Sequence, residues 1–164
     1  MMRARPIIGL LLFFAGTSVG AVELDDILQA LLDQALTLRI TARVVEGDHE
    51  TIQSYELTRV TISGRAVRLR LEGGNITIIA EFTPYEEEDG ILLVAEGQIL
   101  LRTADEEEVQ YVTSLRSVPL AIGERAVFYP LGQSTFDMDL ESDQSGALNI
   151  ELEVEVVPYE AERG

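Results

Sequence analysis

The stretch Ala147-Leu148-Asn149-Ile150-Glu151-Leu152-Glu153-Val154-Glu155-Val156-Val157 decides the fold. Leucine, isoleucine and valine alternate in it with asparagine and glutamate. A period of two places the apolar set on one face of a strand and the polar set on the other. Antiparallel sheets that have one face in the core and one in solvent show this pattern. We therefore expect a strand that buries Leu148, Ile150, Leu152, Val154 and Val156.

The same period recurs along the chain from residue 37 onward, with turn-forming glycines between the runs. Short alternating strands at such spacing indicate an all-β fold, here an antiparallel β-sandwich or closed barrel of about nine strands. Residues 91–101 are apolar on both faces and are expected to form a central strand covered on both sides. A change of phase near Thr58–Arg59 predicts a β-bulge there. The predicted strands are 38–46, 52–62, 65–72, 75–83, 91–101, 109–116, 125–131, 135–141 and 147–157.

A short amphipathic helix is predicted before the β-domain, over residues 22–36. Its apolar residues recur with the helical period, and Asp25 and Asp26 lie in the first turn, where the helix dipole favours negative charge. A helix of this length is marginal alone, so we expect its apolar stripe to dock, most simply on the β-domain. The stripe consists of Leu24, Ile27, Leu28, Leu31, Leu32, Ala35 and Leu36.

The N-terminus has the three parts of a secretory signal peptide, predicted over residues 1–21. Arg3 and Arg5 precede the apolar run Ile7–Ala15, and small residues lead to a cut after Ala21. The apolar run is shorter than the roughly 20 residues that a membrane span needs, although a retained anchor stays open as the alternative. The remaining chain predicts one β-domain over 37–157 and a frayed tail over 158–164.

Charge is the strongest compositional signal. The chain carries 12 basic residues, all arginine, against 29 acidic ones, a net charge of −17. Such a field repels phosphate backbones, which argues against nucleic acid as a partner. An acidic surface suits a cationic partner, and solubility alone is the alternative explanation of the charge. The chain has no cysteine, which excludes disulfides, thiolate catalysis and cysteine-bound metals.

No group of residues predicts catalysis or metal binding. His49 stands alone in a turn, where it lacks the oriented partners of a catalytic base. The run Asp137–Asp143 places Ser142 and Leu148 where a calcium loop of the EF-hand type requires glycine and glutamate. The acidic runs Glu86–Asp89 and Asp105–Glu108 look like solvated connections rather than paired catalytic carboxylates.

Two further groups are candidates for recognition. Arg68 and Arg70 share a strand face, and we expect them to pair with strand glutamates such as Glu151, Glu153 or Glu155, an anion site being the alternative. Phe128, Tyr129 and Leu131 lie beside Pro130 and form a docking patch if they are exposed; otherwise they close one end of the core.

The sequence therefore predicts an exported, non-catalytic β-domain, periplasmic or secreted, that acts as a protein-interaction or structural component of the bacterial cell envelope. The expected partner is an envelope protein, a cationic one given the charge, without stable membrane insertion once the signal is cleaved. The alternative is a carrier of a small apolar ligand or lipid in a β-barrel. No cofactor and no metal are predicted, and oligomeric state stays open.

Overall fold

The computed structural model describes residues 20–46, 50–102, 109–132, 136–139 and 145–160. The predicted signal peptide lies outside this part except for Gly20 and Ala21, and His49 lies outside it too. The described chain is mostly β with one helix at its start, which confirms the predicted class. The elements are α1 Gly20–Asp33, β1 Ala35–Glu46, β2 Glu50–Ile62, β3 Val67–Glu72, β4 Ile76–Glu87, β5 Gly90–Arg102, β6 Val109–Leu120, β7 Arg125–Phe128, β8 Phe136–Asp139 and β9 Ser145–Pro158.

The strands form two antiparallel sheets. One has the order β2-β1-β9-β7, with β8 also pairing with β9, and the other has the order β3-β4-β5-β6. β9, the strand whose alternation is clearest in the sequence, pairs with β1 from Glu46↔Leu148 to Leu36↔Pro158. Tyr159 then donates its backbone N–H to the Ala35 carbonyl at 2.8 Å, so the pairing continues past the predicted strand end.

The inward faces of both sheets build one shared core. The five residues of β9 that were predicted to face inward are only 0–3% exposed, which confirms that face. They are Leu148, Ile150, Leu152, Val154 and Val156. Phe82 of β4 and Phe128 of β7 meet edge to face across the two sheets, with ring centroids 6.1 Å apart. Burial of apolar surface is the main favourable contribution to the stability of this arrangement. The largest fully buried side chains are Phe82, Leu36, Leu38, Ile40, Ile78, Ile91, Ile99, Leu148, Leu152, Val154 and Val156.

β5 is an interior strand between β4 and β6, as the sequence predicts, but it is not covered on both sides. Its inward residues are buried, whereas Leu92, Val94 and Leu100 on the other face are half-buried. Side chains of the neighbouring strands shield that face in part. The apolar run therefore indicated a strand with a neighbour on each side within its sheet. It did not indicate a sheet that is covered on both faces.

α1 differs from its prediction at both ends and in its packing. It ends at Asp33, and Ala35 and Leu36 begin β1, where both are buried in the core. The apolar stripe of α1 is not docked: its five leucine and isoleucine side chains are 43–61% exposed. Alternation beginning at Ala35 overrides the helical period there because β1 pairs on both sides, with β2 and with β9.

The chain passes from one sheet to the other between β2 and β3. Gly64 has a φ of 77° and donates its N–H to the Pro84 carbonyl at 2.7 Å, which ties this turn to β4. The predicted bulge near Thr58–Arg59 is wrong, since pairing is regular there. The register shift lies between Val44 and Val45, opposite the first part of β2.

Candidate functional site

The residues predicted as a docking patch lie at the edge of the core. Phe128 is buried against Phe82, while Tyr129 and Leu131 are half-buried, Leu131 being packed against the core. The structure therefore places this stretch where it closes one side of the core, which was the other reading of the sequence. Tyr129 and Leu131 are thus partly accessible at the surface, whereas Phe128 is not.

A row of ion pairs covers the solvent face of β1, β7 and β9. Arg39 Nη1 contacts Glu155 Oε2 at 3.2 Å, and Arg125 Nη1 contacts Glu153 Oε1 at 3.2 Å. Arg43 contacts two glutamates of β9. Its Nη2 donates to Glu153 Oε2 at 2.9 Å, and its Nη1 is 3.9 Å from Glu151 Oε2. The row borders a shallow depression of about 360 Å³ that is also lined by Ser54, Glu56, Leu57 and Thr58.

Titration in this row follows from the contacts. The hydrogen bond from Arg43 lowers the pKa of Glu153, and the same bond raises the pKa of Arg43. Burial raises the pKa of Tyr129, and its hydrogen bond to the charged Glu151 carboxylate raises it further. Arg43 and Glu153 thus stabilise each other's ionised form, which suits a structural ion pair better than acid–base chemistry.

Arg68 and Arg70 pair with strand glutamates, as predicted, but these belong to their own sheet and are not Glu151, Glu153 or Glu155. Arg68 contacts Glu81 of β4, and Arg70 Nε donates to Glu72 Oε1 at 2.7 Å. β3 is an edge strand of one sheet, whereas β9 belongs to the other sheet. Strand order decided the partner of Arg68, and a period of two within one strand carries no information about strand order. Arg70 and Glu72 lie two residues apart on β3 and therefore on the same face of that strand.

An apolar cleft opens between the two sheets, where β2 of one sheet and β3 of the other stand at adjacent edges. Its volume is about 530 Å³, within the usual range of small-molecule sites. Polar residues form part of its lining, among them Tyr55, Arg70 and Glu72. The apolar lining consists of Ala42, Val44, Leu57, Leu69, Leu71, Ile76, Ile78 and Ile150.

The edge strand β6 is the most apolar exposed strand surface of the described chain. β5 pairs with it along its full length, from Arg102↔Val109 to Ile91↔Leu120, and no described strand pairs with its other side. Its exposed large apolar side chains are Val109, Tyr111, Val112 and Leu115. The sequence carried a signal for this: apolar residues occupy both phases of the strand instead of alternating with polar ones.

The described residues show neither a metal-binding cluster nor a helix that could span a membrane. They contain no group of three or more histidine, cysteine or acidic residues that could hold a metal ion. Within the same ranges, no helix is long and apolar enough to cross a membrane. Glu141 and Asp143, and the run Asp105–Glu108, lie outside these ranges.

Comparison with known proteins finds no relative: no protein-family model, no curated protein and no solved structure matches the chain.

Proposed function

We propose that this protein is an exported, non-catalytic β-domain that acts as a protein-interaction or structural component of the bacterial cell envelope. The free edge of β6 receives a strand of its partner. One observation carries the proposal: β6 exposes apolar side chains beside a row of backbone groups that no described strand pairs. Addition of an extended segment to such an edge is a common mode of protein recognition.

The proposal includes a finer account of the fold, an open β-sandwich rather than a closed barrel. β2 and β3 stand at edges of different sheets, and the cleft lies between them. A barrel would need these two edges to pair. A sandwich leaves sheet edges free, and a free edge favours recognition by strand addition.

Edge strands of natural proteins are usually protected by charges, proline or bulges. β6 has little such protection: Arg116 is its single charged residue, and Pro119 lies near its end. β2, an edge of the other sheet, is different, since it carries Glu50, Glu56 and Arg59. This contrast favours β6 over β2 as the contact.

The charge of the chain supports a cationic envelope protein as partner. With 29 acidic residues and a net charge of −17, the domain attracts basic proteins at long range, and salt weakens that attraction. We place the domain in the periplasm or outside the cell, as the N-terminal sequence predicts.

The test is recovery of partners from envelope extract on immobilised domain, with wild type compared with Leu115→Lys. The new charge lies on the exposed face of β6 and should lower recovery of a specific partner at least tenfold. Val60→Lys is the matched control, because Val60 is an exposed apolar residue on β2. Equal recovery by all three proteins would reject the β6 edge as the interaction surface.

A second candidate function is binding of a small apolar ligand, which the cleft between β2 and β3 favours. Its lining is mostly apolar, with a few polar groups, as is typical of small-molecule sites. A fatty acid combines an apolar chain for the floor of the cleft with a carboxylate that accepts hydrogen bonds from Arg70. Since Arg70 now pairs with Glu72 in an exposed position, the exchange of partners would cost little.

We expect a fluorescent fatty acid to bind the wild-type protein and Tyr55→Glu to weaken that binding about tenfold, since a carboxylate at the cleft repels the ligand. Tyr85→Glu is the control, because Tyr85 is similarly exposed and does not line the cleft. Fluorescence titration measures both. Absence of binding to wild type, or equal loss in both variants, argues against a carrier.

A further inference from the structure

We propose that β6 pairs with β6 of a second copy of this chain, antiparallel and about a two-fold axis at Thr113, so that two four-stranded sheets become one. The inference goes beyond the proposed function, because it assigns the same edge to a second copy of this chain when no envelope partner occupies it. Its grounds are the free side of β6, the position of its exposed apolar residues and the distribution of charge.

The free side of β6 is long and regular. Pairing with β5 runs without a register shift over twelve residues, from Val109 to Leu120. In an antiparallel ladder every second residue directs its N–H and C=O to one side, so half of β6 directs them away from β5. Pro119 has no N–H and limits further pairing to the part of β6 before it.

A two-fold axis at Thr113 makes this strand complementary to itself. Residues at equal distances from Thr113 then lie opposite each other, so Tyr111 of each copy faces Leu115 of the other. These two side chains are 59% and 73% exposed in the single chain. Aromatic and aliphatic residues placed directly opposite stabilise antiparallel pairs, and the symmetry provides this pair twice.

Charge permits the pairing at this edge. The net charge of −17 makes two copies repel each other, yet residues 109–120 contain no acidic residue. Arg116 faces Gln110 of the other copy in this register, so like charges are not opposed. Because the remaining repulsion is long-range and screened by salt, self-pairing should strengthen as salt rises. A cationic partner would show the opposite dependence.

The absence of cysteine allows a sharp test of the register. In Thr113→Cys the two thiols face each other across the axis, with Cα atoms about 4.5–5.5 Å apart, which suits a disulfide. In the control Ser117→Cys the two thiols are separated by eight residue steps, about 27 Å. Mild oxidation of the full-length chain should give a covalent dimer for Thr113→Cys and monomer for Ser117→Cys.

Sedimentation equilibrium of the wild-type chain tests the affinity in parallel. We expect a dimer whose dissociation constant falls as NaCl rises and increases at least tenfold in Leu115→Lys, with no change in Val60→Lys. Pairing itself stabilises the folded chain, so melting is compared at a concentration at which wild type is monomeric. There the Leu115→Lys variant should melt as wild type does, because Leu115 is exposed, which separates lost pairing from lost folding.

Monomer at all salt concentrations, or equal cross-linking of both cysteine variants, would overturn self-pairing. In that case the proposed function stands if Leu115→Lys still abolishes recovery of an envelope protein. Conversely, cross-linking at Thr113 together with recovery that ignores Leu115→Lys would retain the dimer and reject the proposed envelope contact at this edge.

Discussion

Arg43 shows at the residue scale how the outer face of the first sheet is held. It contacts Glu153 and Glu151 of β9 at once, and its side chain is 28% exposed while that of Glu153 is 19% exposed. Pairs screened this far from water contribute more than exposed pairs do. The sequence indicated that the β9 glutamates face outward, but not which arginine meets them.

We expect Arg43→Met to lower the free energy of unfolding at pH 7 by about 1–2 kcal/mol, between the values for exposed and buried pairs. Methionine keeps the apolar packing of the arginine stem and removes the charge. Arg70→Met is the matched control, because its pair with Glu72 is mostly exposed and should cost less than about 0.5 kcal/mol. Urea denaturation measures both.

The pH dependence of the Arg43→Met effect follows from the sign of the Glu153 shift. Folding lowers the pKa of Glu153 from its ordinary value of 4.5, so the stabilisation is complete above that value and is lost as pH falls through the lower folded pKa. The difference between wild type and Arg43→Met should therefore shrink below about pH 4.5. A difference that is constant from pH 7 to pH 3 would contradict an electrostatic origin.

At the scale of elements, contact between the two sheets depends on a glycine in β5. A Cβ atom added at Gly97 would lie 2.6 Å from Ser114 Oγ and 3.3 Å from two ring carbons of Phe128. Gly97 therefore admits the ring of Phe128 between the sheets, beside Phe82. Ser114 Oγ is itself buried without a hydrogen-bond partner among the described residues.

We predict that Gly97→Ala lowers the free energy of unfolding by about 1–3 kcal/mol, the usual cost of overpacking. This outweighs the gain of about 0.4–1 kcal/mol from removing a flexible glycine. Adding Ser114→Ala removes the closest contact and should restore part of the loss. Thermal melting of wild type and the two variants gives the answer, and a Gly97→Ala protein as stable as wild type would show that the strands adjust freely.

α1 gives the opposite lesson about elements. The helical period predicts a helix here, and the structure has one. The predicted docking of its apolar stripe is wrong, because periodicity shows which face is apolar and not what covers that face. Its last predicted residues, Ala35 and Leu36, belong to β1 and fill the core. Alternation and helical periodicity overlap at this junction, and pairing with β9 decides between them.

At the scale of the whole molecule, acidic self-repulsion opposes compactness. We expect the melting temperature to rise by about 3 °C between low salt and 0.5 M NaCl, because screening lowers that repulsion. Leu115→Lys serves as the background for this measurement, since self-pairing also responds to salt. Calorimetry records the shift, and a melting temperature that falls with NaCl would show that ion pairs outweigh net charge.

The sequence by itself determined the mostly-β class, the helix at the start and the buried face of β9, because side-chain periodicity is a local property of the chain. Tertiary structure alone decided strand order, and with it the partner of Arg68, the cleft between β2 and β3, and the free edge of β6. These features join residues far apart in sequence, and the period of a single strand is the same whichever strand lies beside it.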